Sequence, residues 1–402
     1  MSSVGIAILA RDEERCIARC LDSVTGQGFA DILVVDTGSV DRTVGIVAGY
    51  EDVRLVRMPW PGSFAAVRNH AIEEIRAEWV VFVDADEWLP PDCVARLFPL
   101  PDGDVFAPRI REVGRGTVAT GVPRILRTDS GIRYRGPVHE YVVHADGTPV
   151  DLVRLDIEFR HDGYEPSVAR AKGKRKRNLD LLDIAMAEEP NNPRWPCFRI
   201  RDAGMEITSA QIMELCATVH ALLDTDARSG DTQNALGYYR IAVGFACKAL
   251  VAMGEWDYVC RLCDALDVVA DGDPDAHYFR SMFGFHTGAV TNRDLTRSIR
   301  IRNDDALVAT SALDPSGRHL DALIGLQLEV CRSATEAGHY RKLCAPWTDG
   351  FFERSLLRGP STTHRATGPS TGTTVIVPDL LERGDEHRGA VVDELGVAWR
   401  RH

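Results

Sequence analysis

Trp79-Val80-Val81-Phe82-Val83-Asp84-Ala85-Asp86-Glu87-Trp88 decides the fold. Five apolar or aromatic residues in a row, three of them β-branched, predict a strand buried on both faces, as inside a parallel sheet. The run stops at Asp84, Asp86 and Glu87. In open α/β sheets, ligands sit just beyond the carboxyl ends of the strands. Acid side chains there can hold a hard divalent cation through oxygen, and the cation can hold a diphosphate. Asp-x-Asp also occurs at Asp102/Asp104, Asp224/Asp226, Asp271/Asp273 and Asp273/Asp275, among Gly, Pro or polar residues that read as solvated turns. Only the pair at Asp84/Asp86 ends a long apolar strand.

Upstream, Val4 to Leu9 predicts a short buried strand, and Ile17, Leu21 and Val24 stand at helical spacing with Asp12 as the expected N-cap. A second strand, Ile32 to Val35, runs into Asp36-Thr37-Gly38-Ser39-Val40-Asp41-Arg42-Thr43. That string suits hydrogen bonding to a base or ribose, and equally a turn that caps the next helix. Val53 to Val56 predicts a third strand, Ser63 a helix start ahead of Arg68 and Asn69, and Pro90-Pro91-Asp92 another. Strands alternating with helices predict a doubly wound, mostly parallel sheet whose strand-end polar residues gather along one edge.

The chain has 402 residues, 45% apolar and 26% charged, with a net charge of -12. That length allows two domains and an appendage. The acidic balance argues against a general nucleic-acid binder. No uninterrupted apolar run approaches the roughly 18 residues that span a bilayer, so no transmembrane segment is expected. Met1-Ser2-Ser3-Val4 lacks a basic region followed by a long apolar segment, so no secretory signal is read there. Ten scattered cysteines do not make a disulfide framework, and Cys260-x-x-Cys263 lies in a helical pattern that predicts buried packing. A cytoplasmic location is the expectation.

Five strings occur in order over about ninety residues: Arg11-Asp12-Glu13-Glu14, Cys20-Leu21-Asp22-Ser23-Val24, Val35 to Thr43, Phe64-Ala65-Ala66-Val67-Arg68-Asn69 and Asp84-Ala85-Asp86-Glu87. Together they resemble family 2 glycosyltransferases of the GT-A fold, closest to the branch containing the sublancin-type peptide S-glycosyltransferases. The likeness continues through Gly136-Pro137-Val138-His139-Glu140, His161-Asp162-Gly163-Tyr164, Lys174-Arg175-Lys176-Arg177-Asn178-Leu179 and Pro190-Asn191-Asn192. Arg11-Asp12-Glu13-Glu14 stands where the family usually has Lys-Asn-Glu-Glu, and Val40 where it commonly has Thr.

The resemblance implies a nucleotide-diphosphate sugar donor, most often UDP-linked, and a divalent metal, Mn²⁺ or Mg²⁺. Residue by residue, it implies that Asp36 contacts the base with Arg11 beside it. Glu13, Thr37 and Ser39 join the nucleotide-sugar site, Arg68 lies near the nucleotide and Asp84 near the ribose or metal. Asp86 ligates the metal, with His161 a further ligand or an ordinary loop histidine. Attack from the opposite face of the sugar inverts the anomeric centre and calls for a base. Glu140, following the strand pattern Arg133-Tyr134-Arg135, is the candidate with His139 in support, unless Val138-His139-Glu140 is simply an exposed strand. Trp60 and Trp88 either stack on a sugar or pack.

The expected domains are a GT-A nucleotide-sugar-binding catalytic domain over 1–165, a tetratricopeptide-like helical domain over 166–290 and a C-terminal helical extension over 291–402. The helical reading rests on two apolar stripes, Leu236, Tyr239, Val243, Ala246, Leu250, Met253 and Trp256, Val259, Cys263, Leu266, Ala270, with the turn Asp273-Pro274-Asp275 after them. Leu320, Leu323, Leu326 and Val330 predict one more helix. Residues 359–374 read as a flexible Ser/Thr/Gly/Pro linker, with a short strand over 374–377 and a helix over 389–399. In related transferases the helical region serves dimerisation or acceptor binding, so a homodimer through it is one expectation. The acceptor is a peptide side chain by analogy, with a cell-surface glycan or a secondary metabolite as alternatives. A nucleotidyltransferase would need a basic Gly-rich loop after the first strand, where Arg11-Asp12-Glu13-Glu14 is too acidic. A helical scaffold with a nucleotide-binding but non-catalytic domain is the alternative of another class.

Overall fold

The structure is a computed structural model that describes residues 3–97, 99–113, 118–162, 173–229 and 232–347. Gly163, Tyr164, the 359–374 linker and the elements expected over 374–377 and 389–399 lie outside the described residues. The chain divides into two compact units. The first runs to Ala203 and includes Thr218–Tyr238; the second comprises Gly204–Ala217 and the helices from Tyr239 onward.

The first unit alternates β1 (Val4–Ala10), α1 (Ile17–Val24), β2 (Asp31–Asp36), α2 (Thr43–Val47), β3 (Val53–Arg57), α3 (Phe64–Glu74) and β4 (Trp79–Asp84). Then come β5 (Glu87–Trp88), α4 (Cys93–Leu97), β6 (Val105–Glu112), β7 (Val118–Ala119), β8 (Ile125–Arg127), β9 (Arg133–Arg135), β10 (Tyr141–Val143) and β11 (Val153–His161). Helices α5 (Lys174–Glu188) and α6 (Arg194–Ala203) follow. The main sheet runs β3-β2-β1-β4-β8-β6-β11-β5, with β7 on β6, and β9 and β10 form a separate hairpin. Strands β3, β2, β1 and β4 are mutually parallel, as are β6 and β11; β8 lies antiparallel between β4 and β6.

Strand β4 lies inside the sheet because both its faces are covered. Val81 and Val83 pack with Ile17, Leu21 and Val24 of α1 on one side. Val80 and Phe82 pack with Ala65, Ala71 and Ile72 of α3 on the other. Each fully buried valine, leucine, isoleucine or phenylalanine here contributes about 1.5–3 kcal/mol, and a charge at Val81 would break the layer. Ser63 caps α3 by accepting from the Ala66 N–H, as its sequence predicts. Asp12 is not the cap of α1, which begins after Cys16. It lies in the left-handed region at φ 53°, its Oδ1 accepts from the Val40 N–H, and its own N–H donates to Ser39 Oγ. The residue thus braces two strand-end loops instead of starting a helix.

The second unit's helices include α9 (Trp256–Val269), α10 (Pro274–Thr287), α11 (Asn292–Arg302), α12 (Asp305–Val308), α13 (Arg318–Cys331) and α14 (Ala334–Leu343), with α7 (Ser209–Ser229) and α8 (Thr232–Met253) ahead of them. The stripes are buried where expected, at Tyr239, Val243, Ala246 and Leu250, then at Val259, Cys263 and Leu266. Asp273 caps α10 through the N–H groups of Asp275 and Ala276, with Pro274 at the first helical position. A mostly parallel sheet followed by helices is the architecture the sequence predicts. Within α8, Ala235–Met253 is long and apolar enough to cross a membrane by length and composition, which the sequence reading did not expect, and half of it is buried in the protein.

Candidate functional site

Sheet register lines up the strand ends. Ala10 pairs with Asp36, Asp36 with Arg57, and Leu9 with Asp84, so one edge of the parallel strands carries Arg57, Asp36 and Asp84 in a row. At the far side of the sheet, His161 at the end of β11 stands across from Glu87 on β5 and Glu112 on β6.

Asp84 leaves β4 into a nest of arginines. Arg68 Nη2 donates to its Oδ1 at 3.1 Å, Arg124 Nη1 to Oδ1 at 3.2 Å and Arg124 Nη2 to Oδ2 at 2.6 Å. Burial alone would raise the carboxyl, but the Arg124 and Arg68 charges outweigh it and hold it well below the usual carboxylate range. Arg124 Nη2 also reaches Glu87 Oε1 at 2.8 Å, while Glu87 Oε2 accepts from the Asp84 N–H at 2.9 Å. Glu87 is fully buried, and burial pushes it up to about 7 even with Arg124 beside it. Arg124 had no signal in the sequence: it sits on the edge of β8, forty residues from its partner.

Asp86 faces a different set. Its Oδ1 is 3.3 Å from His161 Nε2 and its Oδ2 is 3.5 Å from Lys174 Nζ. Burial opposes ionisation of Asp86, but the hydrogen bond from His161 wins and lowers its pKa. His161 also lies 3.5 Å from Glu112 through Nδ1. Burial by itself lowers the imidazole, yet the bonds to Asp86 and Glu112 raise it to about 10. Asp162, next along, is gripped by Arg15 and Arg19 at 2.9 and 2.7 Å, and the Arg19 guanidinium lies 4.0 Å over the Trp88 ring.

Among the described residues, no group of three or more His, Cys, Asp or Glu side chains makes a complete metal cage. A cation that completes its shell with water and substrate phosphate needs only one or two protein ligands. Neighbouring ligands of an octahedral ion bonded at about 2.1 Å are roughly 3 Å apart. The Asp86–His161 spacing of 3.3 Å fits that arrangement, a hard oxygen beside an imidazole nitrogen. Both Asp84 oxygens, by contrast, already accept from guanidinium groups.

Glu140 and His139 follow a tight bend. Gly136 lies at φ 92° and a Cβ there would collide with the Trp195 ring, so only glycine fits. His139 is held at φ 49°, a strained value for a residue with a side chain. Helix α6 fixes it: Arg194 donates to the His139 carbonyl at 3.0 and 2.6 Å, Asp202 meets the ring Nε2 at 2.6 Å, and Phe198 stacks on it at 4.7 Å. The next residue, Glu140, accepts from Arg68 Nε at 2.6 Å. Arg68 therefore joins Glu140 and Asp84, and the Glu140 side chain is 14% exposed. His139 turns its ring to Asp202 and Arg201.

The remaining candidates form the other flank. Asp36, buried, accepts from the Gly38 and Ser39 N–H groups; Thr37 Oγ1 donates to the Ala10 carbonyl, and the Glu13 N–H donates to Thr43 Oγ1. A cleft of about 590 Å³ opens here, lined by Asp36, Ser39, Arg57, Met58 and Pro59 among others. Arg57, Met58 and Pro59 were not singled out by the sequence. Arg11, exposed, follows β1. Trp60 packs edge-on against Phe64 at 4.8 Å.

Residues 5–137 match the model of the family described as Glycosyl transferase family 2. The SPbeta prophage-derived glycosyltransferase SunS of Bacillus subtilis is 30% identical over 205 residues, 49% of this chain and 48% of that protein. A TPR repeat-containing protein of Synechococcus elongatus is 29% identical over 286 residues, 64% of this chain and 70% of its own. The lipopolysaccharide core biosynthesis glycosyltransferase LpsC of Rhizobium meliloti is 34% identical over 86 residues, covering 20% of this chain and 31% of its own. Among solved structures, glucosyl-3-phosphoglycerate synthase from Mycobacterium tuberculosis aligns with a TM-score of only 0.25 at 19% identity, over 27% of this chain and 44% of that one. The chain spans about half the length of the first curated relatives it matches. Residues 5–137, which carry the strand-end acids Asp84 and Asp86 and the loops from Arg11 onward, are therefore similar to glycosyltransferase family 2.

Proposed function

We propose that the chain is a metal-dependent glycosyltransferase that moves a sugar, with inversion, from a nucleoside-diphosphate donor, UDP-linked in the first instance. The observation that carries this reading is the split in the strand-end acids. Asp84 is locked by Arg68 and Arg124, while Asp86, two residues on, faces His161 at ligand spacing.

In this reading the cleft beside Asp36 and Arg57 takes the base and ribose, and Asp84 borders the ribose. Asp86 and His161 would hold Mn²⁺ or Mg²⁺. When bound, such an ion neutralises the charge that builds on the departing diphosphate, as a Lewis acid. For that, His161 must give up the proton that Asp86 and Glu112 now favour. Glu140 is the base. Arg68 fixes its Oε1, which leaves Oε2 to take the proton from the acceptor as the acceptor attacks. His139 acts by position: its strained backbone, pinned by α6, aims the next side chain. A peptide side chain as acceptor rests on the likeness to the sublancin-type branch. A glycan acceptor is the second reading, favoured by the match to a lipopolysaccharide core transferase.

The test is direct. Incubation with UDP-glucose, UDP-N-acetylglucosamine or other nucleotide sugars and Mn²⁺ should release the nucleotide, and candidate acceptors should gain one anhydro-sugar in mass. Asp86→Ala should remove both signals. Failure of every nucleotide sugar to turn over, with or without acceptor, would sink the proposal.

A further inference from the structure

Helix α5 begins where charge is least welcome. Its first four residues are Lys174-Arg175-Lys176-Arg177, with no acid among them, although a helix N-terminus favours negative charge. Two of the four have evident uses. Lys176 pairs with Asp180 at 2.6 Å on the exposed side, and Arg175 donates to the carbonyls of Asp202 and Ala203. Lys174 and Arg177 are three residues apart and so share a face. That face lies against the site: Lys174 Nζ is 3.5 Å from Asp86 Oδ2, and the Arg177 guanidinium sits 4.9 Å over the Phe64 ring. Phe64 is one turn before Arg68 on α3, and Arg68 is the residue that grips Glu140.

Arg177 is half-buried, and among the described residues no carboxylate lies within ion-pair distance of it. Among the described residues, the polar contacts of its guanidinium are two bonds to the neutral amide of Asn178, at 3.4 and 3.0 Å. Arg11 also lacks an ion-pair partner among the described residues. The two repel: burial, then the charge of Arg11, pulls the Arg177 guanidinium down from its ordinary value, with Glu13 and Glu140 only partly compensating. Two neighbouring arginines with no ion-pair partner among the described residues, only partly offset by Glu13 and Glu140, favour the arrival of an anion.

We propose that Arg177, backed by Arg11 and borne on the same helical face as Lys174, is a binding residue for the diphosphate of the donor. The inference rests on the donor reading above and adds to it the chain's own anion clamp. A guanidinium suits the task because its planar fork donates two parallel bonds to phosphate oxygens, and stacking on Phe64 fixes its plane. One anion would then be met from both ends of the first α5 turns, at Asp86 and beneath Phe64.

Calorimetric titration of the full chain with inorganic pyrophosphate and Mg²⁺ tests this without any sugar chemistry. Wild type should bind pyrophosphate in competition with UDP. Arg177→Gln should weaken binding roughly ten- to a hundredfold, and Arg177→Lys by less, at unchanged melting temperature. Wild-type protein that ignores pyrophosphate, an Arg177→Gln variant that binds it normally, or pyrophosphate that binds without displacing UDP would each overturn the assignment. The two proposals fail separately. Arg177-dependent pyrophosphate binding without sugar transfer from any donor leaves the clamp and removes the transferase. Sugar transfer and pyrophosphate binding that are both indifferent to Arg177→Gln do the reverse.

Discussion

Asp275 of the helical unit and Asp84 of the sheet domain both sit among several hydrogen-bond donors, but of opposite kinds. Asp275 is 1% exposed and accepts from Ser311 Oγ at 2.5 Å, the Ala312 N–H at 2.7 Å and the Leu313 N–H at 3.1 Å. All three donors are neutral and local to one loop. Asp84 keeps 34% of its side chain open and is held by two arginines from elements far apart in sequence. The difference separates two uses of a carboxylate. Enclosure by neutral donors ties a loop to a helix start, and burial plus the neighbouring Asp273 charge pushes Asp275 up to about 7. Cations at an open rim instead keep the acid charged where a ligand can arrive.

The sharpest break between the two regions is expected in activity. If Asp86 holds the metal as proposed, Asp86→Ala should lower nucleotide release from a sugar donor by roughly a thousandfold at a temperature where the variant is folded, beyond the stability lost when His161 and Lys174 give up a buried partner. Asp275→Ala should act on stability alone, lowering the melting temperature because it leaves the loop donors unpaired, at about 1–3 kcal/mol for each buried one. Equal loss of activity in both variants, at a temperature where both are folded, would erase the distinction.

Arg124 blurs the comparison usefully, since it touches two acids of the candidate site yet is buried, at 5% exposed. Removing it strands Glu87 without its cation and leaves Asp84 with Arg68 alone. Arg124→Ala should therefore cost about 3–5 kcal/mol of stability in denaturant unfolding, as for other broken buried ion pairs. A loss under about 1 kcal/mol would mean that the buried acids simply take up protons.

How much of this was legible follows from where the information lies. The β4 run and the α1 spacing are local and periodic, so burial on both faces could be read directly. The acids ending β4 were legible because an apolar strand rarely stops on three carboxylates without cause. Arg124 was not, since a charge beside a three-residue strand has no period and its partner is named only by the fold. The Asp12 cap failed because Ser39 and Val40, from another loop, compete for the same side chain. Pairing of His161 with Asp86 came only through the family likeness, as strand β11 reaches β5 by topology rather than by any pattern in its sequence. In the helical unit the stripes were plain, while the buried Asp273–Asp275 pair looked like an ordinary solvated turn.

The contrast should also show in pH. Unfolded, Asp275 titrates near 4, as aspartate does; folded, it is pushed up to about 7. An acid whose folded pKa is raised contributes stability that is complete below the unfolded value and is lost as pH rises through the folded one. His277, pulled down to about 4 by burial, works the other way, contributing stability above about 6.5 that is lost as pH falls toward 4. The measurement is therefore the difference between wild type and Asp275→Asn. The Asn carbonyl can accept from the Ala312 and Leu313 N–H groups while its amide donates to Ser311 Oγ, so the loop keeps its bonds. Melting followed between pH 5 and 8 should show the wild type losing stability relative to the variant across that range. Parallel curves would remove Asp275 as the titrating group.

The smallest effect belongs to a pair with good geometry and no enclosure. Arg109 Nη1 and Asp156 Oδ1 are 3.0 Å apart, as close as many contacts in the site, but Asp156 is 91% exposed. Water already solvates both charges, and holding two side chains in one pose offsets most of the Coulomb gain. Asp156→Asn should change stability by less than about 0.5 kcal/mol, and by less again in high salt, where the remaining attraction is screened. Set beside Arg124→Ala, an arginine–carboxylate contact of similar length differs by several kcal/mol, and the largest differences are access to water and the number of acids that lose their partner. A loss from Asp156→Asn as large as that from Arg124→Ala would show that distance, not enclosure, governs charge pairs in this sheet.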